Sequence, residues 1–297
     1  MAAPTPSEKR FKRIYRRLLR TIRDYGLIEP DDKIMVCMSG GKDSYTLLDL
    51  LWRVRARSPF PFEIVAVHLD QVQPGYDGAP LAKWLAEFGA PYEIVQRDTY
   101  SVVVELTKPG GTYCSACSRL RRGILYDVAE RHGCTKIALG HHRDDALETA
   151  LMNMFFAGKL QAMPAKYRTD CDRFDVIRPM IEIAEADIIE HAAEAAYPIL
   201  PCNLCGSQPG LQREQMGHLL ANLEQTIPNV REVMLAALKN VRASHLLDQG
   251  VAAAVAAAGA QGDTGADPID ALGGGCDSQP ASDGPTAQAV TLVTIGG

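Results

Sequence analysis

The chain has 297 residues, of which 46% are hydrophobic and 23% charged, as is typical of a soluble globular protein with a sizeable core. No apolar run approaches the roughly 20 residues of a membrane-spanning helix, and the N-terminus lacks a secretory signal. The sequence therefore predicts a cytoplasmic protein with no membrane partner. The net charge of −5 comes from the end of the chain, because five aspartates and no basic residue follow position 249. The 31 basic residues balance the 31 acidic residues that remain.

The first predicted element, assigned to residues 1–26, is a strongly basic helix. The segment KRFKRIYRRLLRTIR (9–23) holds eight basic residues in fifteen and no acidic one. Because Ile14, Leu18 and Ile22 recur at helical spacing, the segment is predicted to form an amphipathic helix with a basic outer face. Such a face is either solvated or bound to a polyanion, and the density of positive charge favours a polyanion.

Predicted strands and helices alternate over the following body, which is assigned to residues 27–248. The predicted strands are residues 33–38, 62–70, 91–98, 135–142 and 175–180. The predicted helices are residues 44–56, 79–89, 116–132, 144–158 and 185–196, with two more between 211 and 246. This alternation predicts an α/β fold with a doubly wound parallel sheet, between the N-terminal basic helix and the C-terminal helices. The Ala- and Gly-rich tail, residues 249–297, is predicted to be disordered.

A glycine-rich turn, SGGKDS (39–44), joins the first predicted strand to the first helix of this body. Adjacent glycines let the backbone turn sharply and approach a ligand closely. The N–H groups at the start of the following helix form an anion site, to which the turn adds one lysine and two hydroxyl groups. The turn does not match the Walker sequence, but its context predicts a phosphate site. The predicted phosphate-binding residues are Ser39, Gly40, Gly41, Lys42 and Ser44.

Two further polar clusters, HLDQ (68–71) and GHHRDD (140–145), follow other predicted strands. Ligands of doubly wound sheets bind where the strands end, so the three clusters are expected to share one crevice. Acidic residues at a helix start, such as Asp144, are also ordinary caps.

The SGGKDS turn and the GHHRDD cluster resemble motifs of the PP-loop ATP pyrophosphatases, which cleave ATP between the α- and β-phosphates. The resemblance implies that the loop holds pyrophosphate and that a substrate oxygen is adenylated before a nucleophile displaces AMP. It implies ATP contacts for Asp43, His68, Gly140 and Asp144, with Asp43 also acting in catalysis. Asp43 and Asp144 are the implied magnesium residues.

Eight cysteines in a predicted cytoplasmic chain indicate metal or redox chemistry rather than structural disulfides. Cys114 and Cys117 form one C-x-x-C pair, and Cys202 and Cys205 form another. A zinc ribbon would be unusual, because 84 residues separate the two pairs and about 15–20 are usual. Iron–sulfur clusters take thiolates from distant loops. The residue pattern by itself leaves zinc, an iron–sulfur cluster and disulfide redox chemistry open.

The sequences around both pairs, YCSACSRLRRGILYDVA (113–129) and LPCNLCGSQPGLQR (200–213), resemble the tRNA 2-thiocytidine synthetases, the tRNA-cytidine 2-sulfurtransferase family. The match runs from about residue 11 to residue 247 and includes SGGKDSYTLLDLL, HLDQVQPGY and LGHHRDDALET in the same order. The resemblance implies a catalytic [4Fe–4S] cluster held by three cysteines, with one iron open to sulfur. Cys114 and Cys117 match the first two ligands. Cys205 is preferred as the third, with Cys202 as the alternative.

The resemblance implies an enzyme that uses ATP to replace the 2-oxygen of cytidine 32 in the tRNA anticodon loop with sulfur. It implies tRNA as a partner and a cysteine desulfurase as the sulfur source. The sequence is compatible with a homodimer but does not determine the oligomeric state. The alternatives are another PP-loop tRNA-modifying enzyme that uses a cysteine persulfide, and a zinc-stabilised protein that binds nucleotide or RNA. The residues predicted to contact RNA are Arg16, Arg17, Arg119 and Arg122.

Overall fold

The computed structural model describes residues 5–106, 114–201 and 212–257, and the side chains of residues 114–118 are not described. The strands are β1 (Lys33–Met38), β2 (Glu63–Asp70), β3 (Tyr92–Gln96), β4 (Lys136–Ala138), β5 (Lys166–Arg168) and β6 (Asp175–Ile177). The helices are α1 (Pro6–Asp24), α2 (Lys42–Arg55), α3 (Ala79–Phe88), α4 (Tyr100–Leu106), α5 (Cys114–Arg131), α6 (Arg143–Phe156), α7 (Glu185–Glu194), α8 (Gln212–Thr226), α9 (Val230–Lys239) and α10 (Gln249–Ala257). A 3₁₀ turn spans Ala243–His245. None of the described helices is both long and apolar enough to cross a membrane.

The six described strands form one sheet in the order β3–β2–β1–β4–β6–β5. All neighbouring strands are parallel except β5 and β6, which pair antiparallel at one edge. The chain passes from β1 outward to β2 and β3, and then places β4 on the other side of β1. The strand order therefore reverses between β1 and β4, where doubly wound sheets bind their ligands. The predicted fold class is confirmed.

Alternate residues of β1 pack on opposite faces of the sheet, because successive side chains of a strand point to opposite sides. Ile34 and Val36 belong to a core that also contains Leu18 of α1. Met35 belongs to a second core, on the other face, that also contains Val128 of α5. Both faces are thus covered, which explains why β1 reads as a continuous apolar run rather than an alternating one.

Helix α1 is an integral part of the body rather than a separate arm. Ile14 and Leu18 are buried in the same core as the central strands. A capping box starts the helix: Thr5 Oγ1 accepts a hydrogen bond from the N–H of Glu8 at 3.2 Å, and Glu8 Oε2 accepts one from the N–H of Thr5 at 2.8 Å. The first compact unit runs from Met1 to Asn240, so the predicted boundary at residue 26 is not a domain boundary.

The second compact unit runs from Val241 to Gly297, and the structure describes its residues 241–257. The prediction of disorder from residue 249 is wrong for 249–257, which form α10. This segment contains five alanines, and alanine has the highest helix propensity. Residues 258–297 lie outside the described part of the chain.

Two described elements of the first unit were not predicted, β5 and α4. Strand β5 has only three residues, too few for an alternating pattern to be recognised. Helix α4 has the sequence YSVVVEL, whose three consecutive valines favour a strand by intrinsic propensity. The segment is nevertheless helical and buries Val103, so tertiary packing overrides the intrinsic preference for a strand.

We expect the Leu18→Ala variant to lose about 2–5 kcal/mol of free energy of unfolding, because Leu18 is fully buried in the core. Leu19, the next residue of α1, is 40% exposed, and Leu19→Ala should change the free energy by less than about 0.5 kcal/mol. Urea denaturation of both variants measures the difference. Equal stabilities would mean that α1 is a dispensable arm.

Candidate functional site

The SGGKDS turn lies between β1 and α2, in a conformation that requires glycine at one position. Gly40 has φ of +83°, and a Cβ there would lie 2.9 Å from Cδ1 of Leu200. Gly41 is the N-cap of α2 and donates its N–H to Ser39 Oγ at 3.3 Å. Ser44 Oγ donates to the Gly41 carbonyl at 2.8 Å. The turn is therefore held by its own serines, and the first N–H groups of α2 are available to an anion.

Lys42 and Asp43, the first two residues of α2, carry the charge of the turn. Lys42 Nζ lies 2.9 Å from Glu185 Oε1 of α7 and 3.3 Å from Asp43 Oδ2. Burial lowers the pKa of Lys42, but the hydrogen bond that Lys42 donates to Glu185 and the charge of Asp43 outweigh that effect and raise it. The lysine is therefore a fixed positive charge, held in place by a carboxylate that a phosphate group could replace.

Asp43 has one carboxylate oxygen that is poorly satisfied within the protein. Oδ1 is buried and receives no hydrogen bond from a described residue, although Lys42 Nζ lies 3.2 Å away. Burial raises the pKa of Asp43, and the charge of Lys42 opposes the rise. Magnesium in nucleotide sites needs only one or two protein carboxylates besides the phosphates. A buried oxygen without a donor fits that role, so Asp43 suits a magnesium ion beside the phosphates.

The GHHRDD motif follows β4 and touches the turn directly. A Cβ on Gly140 would lie 3.1 Å from the backbone carbon of Asp43, so any other residue would push the two segments apart. His142 is the N-cap of α6 and forms a capping box with Asp145: Oδ2 of Asp145 accepts the N–H of His142 at 3.0 Å. The segment between β4 and α6 therefore presents this motif to the same crevice as SGGKDS.

A cavity of about 540 Å³ opens at the C-terminal ends of β1 and β4. Ser39, Asp43 and Ser44 line the end of the cavity next to the SGGKDS turn. His141 and Arg178 line another part of its wall. A smaller cavity of about 180 Å³ lies on the β2 side of the turn. Both volumes adjoin SGGKDS, so a nucleotide bound there would have the loop at its centre.

His141 is a neutral hydrogen-bond donor in the larger cavity. Arg178 Nε lies 3.1 Å from His141 Nδ1, and because arginine can only donate, Nδ1 must be the acceptor. The ring proton is therefore on Nε2. Burial and the charge of Arg178 lower the pKa of His141 to about 4. The sequence predictions did not include His141, although it directly follows Gly140, which was predicted to contact ATP.

His68, a predicted ATP-binding residue, is buried and lines the smaller cavity. Its Nδ1 donates to the Met38 carbonyl at 2.8 Å, and its Nε2 lies 2.6 Å from the hydroxyl of Tyr76. Burial lowers the pKa of His68. Because both ring nitrogens have protein partners, His68 holds the ends of β1 and β2 together and shapes the site.

Asp144 is buried behind the turn and is bonded to three groups of the protein. Its Oδ1 accepts from Arg231 at 2.6 Å and from Arg143 at 3.2 Å. Its Oδ2 accepts the N–H of Glu185 at 2.8 Å. Burial acts to raise the pKa of Asp144, but these donors outweigh it and lower the pKa. Asp145, not Asp144, lines the larger cavity. A magnesium role for Asp144 therefore stays a prediction that this geometry does not favour.

The two cysteine motifs are only partly within the described structure. Cys114 is the first residue of α5, and Cys117 lies one turn later, a spacing that brings two helix positions to one face. Cys202 and Cys205 lie outside the described residues. Pro201, the last described residue before them, lines the smaller cavity, and the N–H of Leu200 donates to the Gly40 carbonyl at 2.9 Å. The chain thus enters the second motif beside the turn.

The four arginines predicted to contact RNA occupy different environments. Arg16 is exposed, whereas Arg17 donates to Glu232 Oε2 at 2.8 Å and to the Glu182 carbonyl at 3.1 Å. Arg122 lines the larger cavity, and Arg119 is exposed and lines neither cavity. Arg121, which lies between these two in the sequence, lines both cavities.

We expect His141 to make the protein sensitive to acid. The pKa of His141 is lowered to about 4, below about 6.5 in the unfolded chain. The stabilisation is therefore fully present above pH 6.5 and is lost as the pH falls toward 4, because the unfolded chain then binds more protons. The charged and titratable neighbours that act on it are Arg178, Asp145, Arg213 and His142.

The measurement is urea denaturation at pH 7 and pH 5. The His141→Gln variant, which keeps a side-chain donor, should lose less free energy of unfolding between these values than the wild type does. His218→Gln, at an exposed histidine of α8, is the control and should behave like the wild type. An equal acid loss in all three proteins would contradict the assignment of His141.

The chain is similar to a family of known proteins over most of its length. Residues 6–198 match the PP-loop domain family. The chain is 52% identical over 262 residues to the tRNA-cytidine(32) 2-sulfurtransferase of Verminephrobacter eiseniae, covering 86% of this chain and 83% of that protein. It is 51% identical over 249 residues to the protein of the same name from Cytophaga hutchinsonii, with 84% and 87% covered.

One solved structure with a similar fold is the U34-tRNA thiolase NcsA from Methanococcus maripaludis with its [4Fe-4S] cluster. The TM-score is 0.61, the sequence identity is 24%, and the match covers 78% of each chain. At this identity the likeness concerns the fold, and it agrees with a doubly wound sheet built around the loop after β1.

Proposed function

Because the chain belongs to the tRNA-cytidine(32) 2-sulfurtransferase family of PP-loop proteins, we propose that it uses ATP to transfer sulfur to C2 of cytidine 32 in tRNA. The observation that carries this proposal is the meeting of three motifs at one edge of the sheet. SGGKDS adjoins both cavities, GHHRDD lines the larger one, and Leu200 and Pro201, which lead into the second cysteine motif, line the smaller one. An ATP-binding loop beside a thiol-bearing segment is the arrangement that an ATP-dependent sulfurtransferase needs.

In the first proposed step, O2 of the cytidine attacks the α-phosphorus of ATP, and the bond to pyrophosphate breaks. The N–H groups of the turn and of the first turn of α2 hold the pyrophosphate. Phosphate oxygens replace Glu185 as the partner of Lys42, whose fixed charge offsets the charge that develops on the leaving group. Asp43, with Asp144 as the second predicted residue, is proposed to hold the magnesium ion. His141 donates its Nε2 hydrogen to a ligand oxygen in the larger cavity.

In the second proposed step, sulfur attacks C2 of the adenylated base, the C2–O2 bond breaks, and AMP leaves with that oxygen. Cys114, Cys117 and Cys205, with Cys202 as the alternative third ligand, are proposed to hold a [4Fe–4S] cluster, which would supply an iron with an open position for sulfur. Thiolates are the ligands that iron–sulfur clusters take, and thiolates at a helix start such as α5 are favoured by its dipole. Ser39 and Arg121 line the smaller cavity together with Pro201, which supports the proposal that the base meets the thiol-bearing segment there.

Other parts of the proposal concern partners. The sulfur is proposed to come from a cysteine desulfurase, and the protein is proposed to act on tRNA either alone or as a homodimer. ATP is consumed as a co-substrate and is released as AMP and pyrophosphate.

The test combines a gene deletion with anaerobic chemistry. tRNA from cells that lack the gene should contain no 2-thiocytidine, and the wild-type gene should restore it. Cys114→Ala should not restore it, whereas Cys171→Ala, at an exposed cysteine away from both cavities, should. The wild-type protein purified without oxygen should contain iron and sulfide, and the Cys114→Ala protein should lose both.

Different failures have different meanings. A normal level of 2-thiocytidine in the deletion strain would rule out the reaction. An active protein that contains no iron would rule out the cluster and favour a cysteine persulfide. Stoichiometric zinc in a protein that binds nucleotide but does not thiolate would favour the zinc-stabilised binding protein.

A further inference from the structure

The exposed side of α1 carries a straight row of cations, here called the α1 stripe. It consists of Lys9, Lys12, Arg16 and Arg20, at i, i+3, i+7 and i+11, so the four residues lie along one face of the helix. All four are exposed, and their side chains make no hydrogen bond or ion pair with another described residue. Such a row repels itself unless an anionic partner neutralises it.

A second row on α1, formed by Arg10, Arg13 and Arg17, faces acidic residues of α7 and α9. Arg10 pairs with Glu190 and Glu194. Arg13 Nε donates to Asp187 Oδ2 at 3.0 Å, and Arg17 donates to Glu232. The basic face predicted from the sequence is thus two faces. The arginines of the second row are paired with acidic residues of the protein, and only the α1 stripe is available to a ligand.

The α1 stripe forms one wall of a groove of about 710 Å³. The opposite wall contains Glu182, Asp187 and Glu232, which already pair with Lys239, Arg13 and Arg17 respectively. Their charge is therefore neutralised within the protein, and the groove presents the positive charge of the stripe. At about 1.5 Å per residue, eleven residues give a stripe about 16 Å long, enough for several consecutive phosphates of a nucleic-acid strand.

The groove lies next to the nucleotide site, because both use the first turn of α7. Glu185 of that turn pairs with Lys42 of the SGGKDS turn at 2.9 Å, and Asp187 pairs with Arg13 of α1. The first turn of α7 therefore contacts both the turn that is proposed to bind ATP and the helix that carries the α1 stripe.

We propose that the α1 stripe binds the phosphate backbone of the RNA substrate while the target base enters the cavity beside the SGGKDS turn. This inference rests on the proposed function, since it assumes that the substrate is tRNA. Insertion of α1 into a membrane is excluded, because its apolar face, with Ile14 and Leu18, is buried in the core and cannot enter lipid. Contacts to phosphate position a nucleic acid without reading its sequence, so specificity comes from the cavity.

The test compares two triple variants with the same loss of charge. The stripe variant is K12Q/R16Q/R20Q, and the control is K83Q/R131Q/R173Q, whose residues are exposed outside α1. Glutamine has a helix propensity close to those of lysine and arginine, so the fold should be retained, and circular dichroism checks it. The probe is an unmodified tRNA transcript with cytidine at position 32, and fluorescence anisotropy is measured without ATP at several salt concentrations.

The stripe variant should bind the transcript at least about tenfold more weakly at moderate salt. Its plot of log affinity against log salt should be shallower by about two to three units, because each lost phosphate contact removes roughly 0.7–0.9. The control should keep the wild-type slope. An unchanged slope and affinity in the stripe variant would overturn the inference and leave the stripe to an acidic protein partner.

The binding result is independent of the proposed reaction. If the deletion strain keeps its 2-thiocytidine while the stripe variant still loses tRNA affinity, the function is wrong and the RNA surface is right. If thiolation requires the gene but the stripe variant binds and thiolates normally, the function stands and the inference is wrong.

Discussion

The Lys42→Met variant should lose tRNA-dependent release of pyrophosphate from ATP by a factor of at least about 10²–10³. Lys42 supplies the fixed positive charge of the turn, and without it Asp43 would face the phosphates uncompensated. The charge that develops on the leaving pyrophosphate would then be stabilised by the N–H groups and the proposed magnesium ion, with no cationic side chain from the turn. The measurement is pyrophosphate release with saturating tRNA and ATP.

The matched control for this prediction is Lys83→Met, at an exposed lysine of α3, which should keep the wild-type rate. Stability should change little in Lys42→Met, because Glu185, the partner it leaves behind, is partly exposed and can be solvated. A Lys42→Met variant that folds and releases pyrophosphate at the wild-type rate would contradict the role of the turn.

The Asp144→Ala variant should lose about 1–3 kcal/mol of free energy of unfolding, because several donors in a buried place lose their acceptor. Asp144 is 3% exposed, and Arg143, which is 7% exposed, would keep only its pairing with Glu232. Arg231 loses its 2.6 Å bond to the same carboxylate. The measurement is urea denaturation, with Asp127→Ala, at an exposed aspartate of α5, as the control.

The same variant separates the two roles considered for Asp144. A structural role predicts a large loss of stability, and magnesium dependence close to that of the wild type in the folded fraction. A magnesium ligand predicts the reverse: nearly normal stability and a higher magnesium concentration for half-maximal pyrophosphate release. Asp43→Asn is expected to show this second pattern, because the buried Oδ1 of Asp43 has no donor to lose.

The site could be located from the sequence because its motifs follow strands that the alternating pattern predicts to be parallel. SGGKDS and GHHRDD each stand at the end of a run of buried strand residues, and the crossovers between parallel strands bring those ends to one edge. Elements too short to show a period, such as β5, were not predictable in this way. Neither was α4, whose valines favour the wrong structure until packing is included.

Local spacing also separated buried from exposed residues on α1, but it did not separate Arg16 from Arg17. The two arginines have the same chemistry and adjacent positions, and they differ only because Glu232 of α9 stands opposite Arg17. Asp144 and Asp145 differ for the same kind of reason. The first meets Arg231, which is 87 residues away in the chain, and the second faces the cavity.

The sequence by itself determined the α/β fold class, the phosphate loop, the two cysteine pairs and the family, because each of these can be recognised from residues that are close together in the sequence. The tertiary structure alone decided which charges serve the fold and which serve a ligand. It neutralised one row of α1 and left the other, paired Lys42 with Glu185, and set the proton of His141 on Nε2. These pairings depend on which side chains, remote in the sequence, come within about 3–4 Å of each other in a partly buried environment. The spacing of residues along the chain does not predict such contacts.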